Sequence, residues 1–251
     1  MTLNNVLNQT WEIAKKNCVA LIGFGFVNVL CSSLTSRTSN QDLIKIMKKI
    51  TEGDLQGTKA IQALTSTFSG TECVTLLITF LLSSFITLVL YRFVKNAINE
   101  DSDTSFSELI NSSAKGYGMF LLKYIPYAVL YTVVIQVPSI SLLIDFVFPY
   151  NMIIKIAILC LSLICVYLLV RLAFVNYIAA NEPELNIKET FAKSMKLTKG
   201  RFWKLLGYGI ISCLIACSGL LLCGIGVLFT IPLSSVFLGV VYDELTNETE
   251  S

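Results

Sequence analysis

The chain contains no histidine. That excludes imidazole metal sites and His-based acid/base or nucleophilic chemistry, leaving only carboxylate, lysine, cysteine or tyrosine variants. Charge is scarce as well: 14% of residues are charged and 54% apolar, with a mean hydropathy of +0.69. Soluble domains carry about 25% charged residues, so a bilayer is the expected solvent. Net charge is only +2, which gives no bulk attraction for nucleic acid. The eight cysteines include no Cys-x-x-Cys pair, and most fall in uncharged runs where Cys packs as a small apolar residue. No metal ligand set, cofactor motif or catalytic constellation stands out, and the chain is read as a non-enzyme.

What is present is a series of long uncharged runs. Residues 18–36 and 73–91 carry no charge, and each would span roughly 28 Å as a helix at ~1.5 Å per residue, matching a hydrocarbon core of about 30 Å. Residues 205–242 are also uncharged and would extend to about 57 Å, so they must hold two spans joined by a turn near Gly224 and Gly226. An all-α integral membrane protein of six transmembrane helices is expected, with spans at about 18–36, 73–91, 120–138, 152–173, 204–222 and 226–242. The whole chain, 1–251, forms one membrane domain, with 37–72 as an extracytoplasmic loop that holds a short helix around 43–50. Lys115-Gly116 is expected to end a helix begun at Ser105, and 139–151 to form an apolar connector.

The spans recur as a pattern. Residues 3–14 place Leu3, Leu7, Trp11 and Ala14 at helical spacing ahead of Lys15 and Lys16. Ser105-Phe-Ser-Glu108 and Asn186-Ile-Lys-Glu189 both have capping-box spacing ahead of an apolar run. In the last copy Ile187, Phe191 and Met195 share a face, with the lysines elsewhere. The expected architecture is therefore three hairpins, each preceded by an interfacial amphipathic helix. Asn181-Glu-Pro-Glu184 should break the chain before the third unit.

Lys15, Lys16, Arg92, Lys95, Lys115, Lys123, Arg171 and the basic residues of 188–204 fall on one side of these spans. Arg37, Lys45, Lys48, Lys49, Lys59 and Lys155 fall on the other. The larger group marks the cytoplasmic side, so both termini are expected in the cytoplasm, with the protein in the cell inner membrane.

At Lys199-Gly-Arg-Phe-Trp-Lys-Leu-Leu-Gly207, followed by Gly224-Ile-Gly226 and by Ile231-Pro232 before Tyr242, the sequence resembles an uncharacterised superfamily of bacterial multi-pass proteins. That superfamily is related to the membrane domain of some glycerophosphoryl diester phosphodiesterases. The resemblance implies six spans with amphipathic segments before the odd-numbered ones, and it carries over no catalytic residue.

Two sets of residues are candidates for function. Lys188, Lys193, Lys196, Lys199, Arg201 and Lys204, with Trp203 as an anchor, could meet anionic lipid headgroups; the alternative is ordinary positive-inside topology. Asn28, Gln136, Asp145 and Asn176 could form a polar path, with Asp145 otherwise an interfacial loop carboxylate. The glycines at 23, 25, 207, 209, 224 and 226 could line a path or let helices approach closely. The expected partners are membrane lipid and a membrane protein, with the chain acting as a scaffold or modulator, or else as a small transporter or lipid-translocating protein.

Overall fold

The computed structural model describes residues 2–31, 33, 70–99, 105–147, 152–221 and 226–250, with side chains at 70–73, 135–147, 154, 155, 158, 221 and 250 left aside. The expectations for residues 37–69 of the loop, its short helix, and the turn at Gly224 lie outside these residues, as do those for the side chains of Gln136 and Asp145, while residues 70–72 of the expected loop are helical.

Every regular element among the described residues is a helix. In chain order these are α1 (Leu3–Lys16), α2 (Cys18–Cys31), α3 (Gly70–Ile98), α4 (Phe106–Val147) and α5 (Met152–Arg171), then α6 (Val175–Asn181), α7 (Ile187–Leu197), α8 (Phe202–Leu221) and α9 (Val227–Glu250). Five stretches among the described residues are long and apolar enough to cross a membrane, and a sixth results if the pair α1–α2 is taken as one span. That pair is bent by 87°. Asn17 makes the corner: its backbone N–H and its side-chain Nδ2 both donate to the Ile13 carbonyl, at 3.1 and 3.0 Å, so the end of α1 is satisfied where the direction changes.

α9 lies at the centre of the packing. It pairs with α8 as a hairpin and also packs on α1 and α3, while α4 packs on α3, α5 and α6. Val236, Phe237, Val240, Val241 and Leu245 of α9 are fully buried. They share one core with Val6, Ile13 and Ala14 of α1, Leu21 and Phe24 of α2, and Val89, Leu90 and Val94 of α3. Lipid chains are as apolar as this core, so close packing rather than the hydrophobic effect holds the helices together. One contact shows how close. Pro232 inside α9 has no N–H for the carbonyl of Leu228, and the backbone of Gly25 in α2 lies so near that carbonyl that any Cβ there would overlap it.

Two expectations are corrected. Lys115-Gly116 does not end a helix, and 139–147 is not a connector: α4 runs without a break from Phe106 to Val147, through Pro126 and Pro138, and carries Asp145 on its backbone. Gly116 is a point of close approach instead of a stop, because a Cβ there would lie 2.7 Å from Nη2 of Arg92. Beyond Pro138 the chain stays uncharged up to Asp145 and has no Gly or Pro to end the helix there. In the middle copy the capped segment and the span are therefore one helix, whereas α7 is separated from α8 by a turn at 198–200, where Gly200 has φ +78°.

The outward face is strongly apolar. On α5, Met152, Ile153, Leu159, Leu163 and Ile164 are each more than half exposed. Exposed cysteines at 160, 213 and 217 belong to this surface, while Cys31 and Cys165 are buried, so the expectation that the cysteines serve packing holds at only some positions.

Candidate functional site

Two features stand out at the end of the bundle where α5, α6 and α7 meet. The first is a set of helix ends held by side chains. α5 stops at Arg171, the chain turns through 172–174, and α6 begins at Val175. The carbonyl of Arg171 is left without an intrahelical partner and accepts from Ser194 Oγ at 3.0 Å and Thr198 Oγ1 at 3.3 Å, both from α7. α6 stops at Asn181, as Asn181-Glu-Pro-Glu184 predicts. Its last carbonyls are met by cations: Arg92 Nε donates to Ala180 O at 3.0 Å, and Lys95 Nζ to Asn181 O at 3.5 Å. Lys123 Nζ donates to Glu182 O at 2.8 Å and to Pro183 O at 3.1 Å. Positive charge at a helix C-terminus also complements the helix dipole.

The Glu182 carboxylate completes this junction. It accepts from Lys193 Nζ at 2.6 and 2.7 Å and from the Tyr242 hydroxyl at 2.9 Å, tying α7 and α9 to the loop. Arg201 pairs with Glu248 of α9 at 2.9 Å. Of the basic residues singled out in 188–204, Lys193 and Arg201 are therefore engaged in ion pairs, while Lys188, Lys196, Lys199 and Lys204 are exposed. Trp203 is 79% exposed beside Lys204.

α7 starts with the expected cap: the Asn186 N–H donates to Glu189 Oε2 at 2.8 Å, completing the capping box. Ser105 N–H makes the matching bond to Glu108 Oε2 at 3.3 Å at the start of α4. The buried face of α7 is Thr190, Ser194, Leu197 and Thr198, and Ile187 and Met195 point outward. The apolar stripe read in the sequence is thus the free face, and the small polar stripe docks.

The second feature is a cavity of about 780 Å³ enclosed by α3, α4, α5, α6, α8 and α9. Five tyrosines line it: Tyr91 from α3, Tyr124, Tyr127 and Tyr131 from α4, and Tyr208 from α8. The rings of Tyr127 and Tyr131 stack at 5.8 Å, and that of Tyr124 lies between Phe80 and Phe120 at 5.7 and 5.3 Å. Thr87, Thr132, Ser212 and Asn176 add polar groups, and among the described residues no Asp, Glu, Lys or Arg borders the space. Asn176 is 9% exposed, and among the described residues its amide oxygen has no hydrogen-bond partner. Among the described residues none of the five tyrosine hydroxyls makes a hydrogen bond. Tyr131, Thr132, Gly209 and Cys213 are the exposed members of the lining and mark its mouth, between α4 and α8.

Of the polar-path residues, Asn176 borders this cavity and Asn28 of α2 does not. Of the glycines, Gly209 borders it, Gly25 serves close packing, and Gly23 and Gly207 have open space where a side chain would be. Sequence reasoning missed the tyrosines, although Tyr124, Tyr127 and Tyr131 stand at i, i+3 and i+7 on one helix face. Among the described residues no group of three or more Cys, Asp or Glu is arranged to hold a metal ion.

Helices throughout the described residues, five or six of them long and apolar enough to cross a membrane, are the features of a multi-pass membrane protein. The family model described as Domain of unknown function (DUF7847) matches residues 1–246, and the chain belongs to that family. No curated protein and no solved structure matches it.

Proposed function

We propose that this is a non-enzymatic multi-pass protein of the bacterial inner membrane that scaffolds or modulates a membrane partner or the anionic lipid around it. The observation that carries this reading is the corner between α7 and α8, where Lys188, Lys196, Lys199 and Lys204 are exposed with Trp203, Ile187 and Met195. Cations beside outward apolar groups suit a helix lying at the headgroup level, with α1 arranged alike through Trp11, Lys15 and Lys16. Each such cation near an anionic leaflet contributes about 1 kcal/mol. In this reading both termini are cytoplasmic, α1, the first part of α4 and α7 each lead into a hairpin of spans, and the family is kin to the phosphodiesterase membrane domain.

The test is lipid co-purification. Replacing Lys188, Lys196, Lys199 and Lys204 with Gln should strip most of the phosphatidylglycerol and cardiolipin that accompany the protein from native membrane; unchanged anionic lipid would end the lipid half of the proposal. Fusion reporters at residues 100 and 248 should report a cytoplasmic location.

A second reading, a small transporter or lipid-translocating protein, is favoured by the tyrosine-lined cavity and the buried Asn176 beside it. It requires accelerated exchange of a fluorescent lipid between leaflets of reconstituted vesicles, an effect that filling the cavity should abolish.

A further inference from the structure

The cavity between α4 and α8 has properties that the basic corner does not explain. A volume of about 780 Å³ lies within the ~300–1,000 Å³ typical of ligand pockets. Its walls are mostly hydrocarbon and aromatic rings, from Phe80, Leu169, Val170, Leu205 and Leu238 in addition to the tyrosines. Its polar groups are hydroxyls and one amide: Thr87, Thr132 and Ser212 donate to backbone carbonyls, whereas among the described residues the five tyrosine hydroxyls and the amide oxygen of Asn176 have no partner. A buried donor or acceptor left unmade costs about 1–3 kcal/mol. The buried amide oxygen of Asn176 is one such group, and with the tyrosine hydroxyls facing the same space it suits an occupant that bonds to them. Among the described residues the lining holds no cation, so a phosphate drawn inside would lose its hydration without a counter-charge from them. The mouth opens between helices whose outer faces are apolar, so access is from the bilayer.

We infer that this cavity binds an uncharged, hydroxyl-bearing membrane lipid of the diacylglycerol class. The free hydroxyl and the ester carbonyls of such a lipid match the donors and acceptors of Tyr91, Tyr124, Tyr127 and Asn176. Its acyl chains continue past Leu169 and Leu205 to the mouth at Tyr131 and Gly209. The site is distinct from the lysines at the α7–α8 corner, and the inference stands whether or not those lysines hold anionic lipid.

The test uses the full chain in nanodiscs of phosphatidylcholine with a trace of a diacylglycerol carrying a diazirine on its acyl chain, compared with the same diazirine on phosphatidylglycerol. The diacylglycerol probe should label 124–132 and 205–213, and excess unlabelled dioleoylglycerol should suppress that labelling in the unaltered protein. Ala128→Trp and Gly209→Trp, which fill the cavity, should reduce it about tenfold while background labelling of the lipid-facing side of α5 persists. Asn176→Leu should weaken competition by dioleoylglycerol about fivefold to tenfold, the effect of one buried hydrogen bond. Labelling confined to α5, labelling that dioleoylglycerol cannot displace, or equal labelling of the cavity by the phosphatidylglycerol probe would each overturn the assignment. Neutralising the four exposed lysines should leave diacylglycerol labelling unchanged, which separates failure of this site from failure of the proposed function.

Discussion

The ammonium of Lys123, 1% exposed on α4, caps the loop that follows α6 by donating to the carbonyls of Glu182 and Pro183, at 2.8 and 3.1 Å. A residue that counts toward the charge bias of the loops is thus a buried structural bolt. Arg92 and Lys95 do the same from α3.

Lys123→Met should destabilise the protein by about 1.5–3 kcal/mol, the usual worth of hydrogen bonds to a charged group. Thermal unfolding in detergent, followed by loss of the monodisperse chromatographic peak, measures it. Lys123→Arg should recover part of the loss, since its guanidinium can still donate to a carbonyl.

Ser194 and Thr198 share the carbonyl of Arg171, so their effects should not add. Each single alanine substitution should cost less than about 1 kcal/mol, and the double substitution about 1–3 kcal/mol because it leaves a buried carbonyl unpaired. Unfolding midpoints of the three variants decide this.

Lys193 and Lys196 stand three residues apart and should behave differently. Lys193→Gln breaks the pair with Glu182 and should lower the unfolding midpoint, whereas Lys196→Gln, exposed, should stay within about 0.5 kcal/mol of the parent. A double-mutant cycle of Lys193→Gln with Tyr242→Phe should show coupling through the shared carboxylate.

Trp203 reports the depth of the α7–α8 corner. In a Trp11→Phe background, lipids brominated near the headgroup should quench its emission more than lipids brominated near the acyl terminus, as expected for an interfacial ring. Stronger quenching by the deep label would place the corner inside the hydrocarbon and contradict the proposed arrangement.

Local signals in the sequence were legible where their physics is local. The cap at Asn186 and Glu189 and the break after Asn181 each depend on neighbouring residues and are found as read, and helices long and apolar enough to cross a membrane cover the uncharged run 74–91 and much of 205–242. Gly116 misleads because the same residue type serves both a helix stop and a close approach, and only Arg92, distant in sequence, decides between them. α7 misleads for a different reason. In water the apolar stripe would turn inward, but beside lipid it can face out, and Ser194 and Thr198 turn in to meet a carbonyl that no sequence pattern announces. The cavity needed the same long-range knowledge, since the tyrosines of α4 acquire meaning only opposite Tyr91 and Tyr208.

The docking of α1 on α9 bears on assembly. Val6, Ile13 and Ala14 find their neighbours among Val240, Val241 and Leu245, residues that leave the ribosome more than two hundred positions later. A stack of independent hairpins could settle one by one as each inserted. Here the contacts of α1 on α9 join positions more than two hundred residues apart, so this part of the core cannot close before the last helix is in place.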